Sequence, residues 1–161
     1  LLSVRGRSLD EGSPRFFRRF SATSYDQENI ISEARALGDF ARSAADTYGM
    51  DPRRLVAVGY SNGANIALAT LAYDPDAFAG AVLLRAVMPL EDPPVVGLNG
   101  KPILLLTGER DPYAPHARDV APYLERSCAR LEEIRVAAGH ELVEEDVRQV
   151  SDWLATFARE R

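Results

Sequence analysis

Gly59-Tyr60-Ser61-Asn62-Gly63 joins two segments of different periodicity. Before it, Leu55-Val56-Ala57-Val58 is a short apolar run that reads as a strand. After it, Ala64, Ile66, Ala67, Ala69 and Leu71 fill a stretch without a breaker, which reads as a helix. A serine between the two occupies a sharp strand-to-helix turn. Such a turn lifts the hydroxyl above the carboxyl edge of a sheet, near the positive end of the helix, and aims the backbone N–H of Asn62 at any oxyanion formed there. Both flanking glycines are expected to be required, because a side chain at either place would collide with the adjoining strand or helix. The plainer reading makes Ser61 a cap for the helix.

A serine hydroxyl becomes a nucleophile when a base takes its proton and a carboxylate orients the base. The chain has two histidines, His116 and His140. His140 follows the strand-like Ile134-Arg135-Val136-Ala137 and the turn Ala138-Gly139, which puts it on a loop beyond a strand end, where open α/β sheets keep their reactive groups. His116, in Tyr113-Ala114-Pro115-His116-Ala117, reads instead as an exposed residue near a helix start. For the acid, Ile103-Leu104-Leu105-Leu106 is a continuous apolar run, as in a buried parallel strand, and it opens into Thr107-Gly108-Glu109-Arg110-Asp111-Pro112. Asp111 and Glu109 are the candidates there, and Asp111 has a competing use as a turn residue ahead of proline.

The remaining chain alternates strands and helices. Expected strands cover residues 1–5, 55–58, 80–84, 103–106 and 132–136; expected helices cover 27–48, with Asp26 as cap, then 62–73, 117–126 and 144–160. Residues 86–101 hold Pro89, Pro93, Pro94, Gly97 and Gly100 and read as loop. This alternation implies crossover connections and a mainly parallel sheet.

With 161 residues, 46% hydrophobic and 27% charged, the sequence is that of one globular domain over 1–161. A net charge of −5 argues against nucleic acid and anionic membranes as partners. The cluster Arg15, Arg18 and Arg19, interleaved with Phe16, Phe17 and Phe20, reads as a surface segment whose aromatics pack inward. Cys128, the single cysteine, can form no intrachain disulfide and reads as a small packing residue in a helix; a cytoplasmic setting is the expectation. No apolar run approaches the roughly 20 residues that span a bilayer.

The chain resembles small bacterial carboxylesterases of the phospholipase/carboxylesterase group within the α/β-hydrolases. The resemblance is carried by Arg5-Gly6-Arg7, Pro14-Arg15-Phe16-Phe17-Arg18-Arg19, Gly59 to Ala67, Ala81-Val82-Leu83-Leu84-Arg85, Leu106 to Pro112 and Ala138-Gly139-His140-Glu141-Leu142. The order Ser61, Asp111, His140 is that of α/β-hydrolases and differs from those of chymotrypsin and subtilisin types. The resemblance implies a three-layer α/β/α sandwich with Ser61 as nucleophile, Asp111 as acid and His140 as base. In that family an earlier strand and a His-Gly type loop supply a second oxyanion donor; no such segment stands here. The expectation is that the sequence lacks an N-terminal segment, leaving Leu1 to Arg5 as the strand that follows it.

The function implied is hydrolysis of small uncharged carboxylic esters through an acyl-enzyme, with no cofactor and no metal. Phe16, Phe17, Met88, Pro89 and Leu90, on loops beyond strand ends, are candidates to line the substrate site, although Met88 and Leu90 could equally fill the core. Competing readings are an impaired or non-catalytic hydrolase-fold binding module, and a thioesterase or lipase-like variant of the same chemistry. The oligomeric state is open, a homodimer being one option.

Overall fold

The computed structural model describes residues 1–9 and 12–160. Four strands, β1 (Val56–Tyr60), β2 (Gly80–Leu84), β3 (Pro102–Gly108) and β4 (Arg130–Val136), form one sheet in the order β1-β2-β3-β4, every pair parallel. Five α-helices accompany them among the described residues, α1 (Gln27–Tyr48), α2 (Asn62–Tyr73), α3 (Ala114–Ala117), α4 (Val120–Arg126) and α5 (Glu144–Arg159), with a short 3-10 turn at Pro52–Arg54.

Side-chain alternation along the two central strands builds two cores. Ala81, Leu83, Ile103 and Leu105 face one side, where they meet Ile30 and Ala34 of α1, Ile66 and Leu71 of α2, and Val120 and Leu124 of α4. Val82, Leu84, Leu104 and Leu106 face the other, against Val136, Ala138 and the half-buried Val150 and Trp153 of α5. A sheet buried on both faces needs an apolar residue at every position rather than at alternate ones, and β2 is buried throughout. The result is the expected three-layer α/β/α sandwich.

Helix α1 has the bounds expected from its cap signal. The Asp26 carboxylate accepts from the Asn29 N–H at 3.0 Å, and Gly49 closes the helix in the left-handed conformation. The segment expected as one helix over 117–126 is divided into α3 and α4. The basic cluster splits: Phe17 is buried with its ring edge-on to Tyr25 at 5.3 Å, Phe20 is exposed, and Arg18 pairs with Asp26 at 2.8 Å.

Two expectations are corrected. Leu1 to Arg5 form no strand; their backbone is irregular and their side chains are exposed. A strand exists only through its ladder, and these residues pair with nothing among the described residues, while the outer edge of β1 likewise carries no partner and leaves Val58 and Tyr60 exposed. Cys128 is not a packing residue. It is exposed, with φ of 57°, and turns the chain from α4 toward β4.

The elbow between β1 and α2 depends on Gly59. A Cβ there would overlap the backbone of Gly63 and Ala64, so the first turn of α2 rests on the strand without an intervening side chain. Gly63 differs from expectation: a Cβ would meet only the Phe16 ring, at an ordinary 3.7 Å, because position 63 faces out from the strand. Gly59→Ala is therefore expected to lose about 1–3 kcal/mol in urea unfolding. Gly63→Ala, inside a helix and without a clash, is expected to hold or gain up to about 1 kcal/mol. Asp26→Ala is expected to lose about 1 kcal/mol by the same measurement.

Candidate active site

Because all four strands run the same way, their carboxyl ends share one edge. Ser61 follows β1, Arg85 follows β2, Asp111 lies just beyond β3 and His140 just beyond β4.

Ser61 has φ 51° and ψ −115°, a backbone conformation that is uncommon and strained for a side-chain-bearing residue. It is held from both sides: its N–H donates to Leu84 O at 2.8 Å and its carbonyl accepts from the Asn65 N–H at 2.9 Å. Asn62 opens α2, so its own N–H belongs to the first turn and has no intrahelical acceptor. The Asn62 side chain accepts from the Phe16 N–H at 2.8 Å, tying the N-terminal loop to the elbow. Asn65, buried, accepts from the Val87 N–H at 2.9 Å and ties α2 to the loop after β2.

Asp111 makes two contacts, one to the turn and one to a histidine. Its Oδ1 accepts from the Tyr113 N–H at 2.8 Å, which makes the turn, and its Oδ2 accepts from His140 Nδ1 at 2.9 Å. A carboxylate only accepts, so the His140 proton sits on Nδ1 and the lone pair of Nε2 faces outward. That lone pair meets the Ser61 hydroxyl, with Oγ 3.0 Å from Nε2. The imidazole ring is flanked by Tyr113, edge-on with centroids 4.9 Å apart, and by Tyr60 at 5.4 Å. The Asp111 side chain is nearly covered, at 6% exposure, whereas that of His140 keeps 28%. The arrangement shelters the carboxylate and leaves the imidazole within reach of a bound molecule. Chemically, it can draw the proton from the Ser61 hydroxyl and hold the resulting imidazolium against a carboxylate.

The rival groups stand apart. Glu109 is exposed, and His116 is exposed on α3. Of the residues expected to line a substrate site, Phe16 borders an open apolar trough of about 600 Å³ beside β1, which also touches Tyr60, Asn62 and Gly63. Met88, half-buried, borders a separate cleft of about 390 Å³ with Tyr25 and His116, and Leu90 packs into the core beneath it. Phe17 and Pro89 depart from expectation. Phe17 is in the core at 1% exposure, and Pro89 is buried with its carbonyl accepting from the Gln27 side chain at 3.1 Å. Among the described residues no group of three or more His, Cys, Asp or Glu could hold a metal ion, and no helix is long and apolar enough to cross a membrane.

Three neighbours of the site escaped sequence reading: Tyr60, Arg85 and Asp146. The Tyr60 hydroxyl donates to His140 O at 2.9 Å, and partial burial raises its pKa above the ordinary phenol value, so it remains a donor at neutral pH. Arg85 and Asp146 form an ion pair at 2.8 Å with side chains 0% and 1% exposed. The available signal was a charge set directly after the wholly apolar Gly80–Leu84, since such a charge must find a counter-charge. Asp146 was masked by Glu144 and Glu145, with which it reads as a helix-start cluster.

Comparison with known proteins agrees with this architecture. The sequence profile of the phospholipase/carboxylesterase family matches residues 16–158. The protein MhqD of Bacillus subtilis (strain 168) is 34% identical over 155 residues, which is 95% of this chain and 78% of MhqD. Among solved structures, the Bacillus cereus carboxylesterase superposes with a TM-score of 0.89 at 33% identity, over 95% of this chain and 73% of that one. A carboxylesterase from Mesorhizobium loti gives 0.89 at 31% identity, over 94% and 73%. With a matching profile, a matching sheet and a serine on the strand-to-helix elbow, this chain belongs to the phospholipase/carboxylesterase family of α/β-hydrolases.

Proposed function

We propose that the protein is a serine carboxylesterase that hydrolyses small uncharged carboxylic esters through a covalent acyl-enzyme. The observation that carries this reading is the unbroken line of hydrogen bonds from Ser61 Oγ through the His140 ring to Asp111, at 3.0 and 2.9 Å.

In the first half-reaction, Ser61 Oγ attacks the acyl carbon while its proton passes to His140 Nε2. The imidazolium so formed keeps its Nδ1–H bond to Asp111, whose negative charge stabilises it and whose position fixes the tautomer. Charge gathers on the former carbonyl oxygen. The Asn62 N–H at the start of α2 donates to it, helped by the positive end of the helix dipole; one such donor is typically worth about 2.7–4 kcal/mol in the transition state. Collapse of the tetrahedral species breaks the bond to the alcohol oxygen, which leaves with the proton from Nε2. Water then repeats the sequence: His140 removes its proton as it attacks the Ser61 ester, and returns that proton to Ser61 Oγ as the acid departs. Each step moves one proton on to or off His140 Nε2.

The apolar character of the trough that Phe16 borders supports uncharged substrates of modest size. Among the described residues, no Lys, Arg or His lines that trough to attract a charged acyl group.

A fluorophosphonate probe followed by peptide mass spectrometry is expected to label Ser61 and no other residue, with labelling lost in Ser61→Ala. Hydrolysis of a short p-nitrophenyl ester should fall by roughly 10⁶ in Ser61→Ala, and Asp111→Asn should lower kcat by roughly 10⁴, because an amide in that place favours the wrong imidazole tautomer. Folded protein that takes no label would instead support a binding module. Compared side by side, short esters are expected to be turned over faster than acyl thioesters or amides; hydrolysis of amides but not esters would reject the substrate class.

A further inference from the structure

His140 must reach across the sheet. Strands β1 and β4 are three ladder spacings apart, about 14 Å, yet the imidazole touches the serine that follows β1. The loop leaving β4 therefore doubles back over the ends of β3 and β2. Backbone bonds to the segment after β3 reach only as far as Ala138, whose carbonyl accepts from the Arg110 N–H at 2.9 Å; beyond it no ladder fixes the loop, and an error of about 1 Å at the imidazole would cost roughly 10²-fold in rate.

Arg85 stands beneath that path, directly after β2. Its backbone takes φ of 52°, the left-handed region, and its side chain is fully covered. Two of its bonds are a fork to the carboxylate of Asp146, Nη1 to Oδ1 at 2.9 Å and Nη2 to Oδ2 at 2.8 Å. The others leave the ion pair: Nε donates to Gly139 O at 3.0 Å and Nη2 donates to Glu141 O at 3.2 Å. These are the carbonyls on either side of His140. The carbonyl between them, His140 O, accepts from the Tyr60 hydroxyl at 2.9 Å. Three consecutive carbonyls of the loop are thus gripped by side chains from the ends of β1 and β2. The Gly139 N–H, in turn, donates to the Glu141 carboxylate at 3.0 Å and holds that group below the ordinary carboxylate pKa. Asp146 also accepts from the Val143 N–H at 2.9 Å, so the start of α5 anchors the far end of the guanidinium.

We propose that Arg85, held by Asp146 and assisted by Tyr60, is a positioning residue that fixes the His140 backbone so that the imidazole spans Ser61 and Asp111. An ion pair needed only for folding would be complete with the fork to Asp146. The two additional bonds, placed symmetrically about His140, are what assign the pair to the site. This rests on the reading of Ser61 and His140 given under Proposed function.

The decisive variant is the double substitution R85M/D146L. Exchanging a buried ion pair for apolar side chains of comparable size commonly leaves stability unchanged or improved, so the fold is retained, less one helix cap, while the grip on the loop is removed. Thermal melting, kcat and KM for a p-nitrophenyl ester, and the rate of fluorophosphonate labelling at Ser61 are measured together. The expected result is a cooperative melt, KM within about twofold of the parent, kcat roughly 10²-fold lower, and labelling slowed in step. A folded double variant with the parent's kcat overturns the proposal. Should the double variant not fold, R85K decides, because it keeps the charge opposite Asp146 but not the planar fork. Lowered kcat at unchanged KM in folded R85K supports positioning, and parental kcat overturns it. A parent protein that neither hydrolyses esters nor takes the label at Ser61 overturns the reading of the site itself, and this inference with it; an active parent beside an equally active R85K or double variant overturns this inference alone.

Discussion

The first turn of α2 lies directly on β1 at Gly59, closer than any Cβ would permit. That contact compels the chain to reverse within one residue, and the reversal falls on Ser61, which accepts a left-handed φ in consequence. The strain is tolerated because the residue is bonded on both sides, to Leu84 across the ladder and to Asn65 in the first helical turn. A relaxed turn would carry the hydroxyl away from the sheet edge. Backbone packing between a strand and a helix therefore decides where one side-chain oxygen stands.

The same edge sets a different problem at its opposite end. Parallel strands deliver their residues in a row, spaced by the ladder, whereas an imidazole and a hydroxyl must meet at 3.0 Å. The loop beyond β4 closes this gap; backbone bonds to the segment after β3 hold it as far as Ala138, and side chains hold the carbonyls of Gly139, His140 and Glu141. Burying Arg85 and Asp146 to do so carries a desolvation cost that ion pairing only partly offsets. Two leucine-sized side chains would fill the space without that cost. They would offer no donors to Gly139 and Glu141.

Much of this was legible in the sequence wherever a local rule governs. Asp26 before Gln27 marked the start of α1, continuous apolar runs marked β2 and β3, and a serine flanked by glycines marked the elbow. Asp111 and His140 were legible because few residues of the right type stood at strand ends. What was not legible depends on distance along the chain. Arg85 and Asp146 are 61 positions apart, and no periodicity links them. Gly63 looked equivalent to Gly59, yet only at Gly59 would a Cβ collide with backbone. Leu1 to Arg5 have strand-like composition, but composition cannot supply a ladder partner. Phe17 and Pro89 lie on loops, as expected; the direction in which a loop residue points is set by packing, and both are buried.

The hydroxyl of Ser61 and the ring that meets it are separated by 79 positions. During synthesis at 5–20 residues per second, the second follows the first by roughly 4 to 16 s. Through that interval the serine is an ordinary alcohol, because nothing nearby in sequence can accept its proton. The contact between the hydroxyl and the ring forms only once β4 has joined the sheet and its loop has carried His140 back to the elbow. A sheet edge that gathers its groups from successive strands thus builds a delay into the order of synthesis.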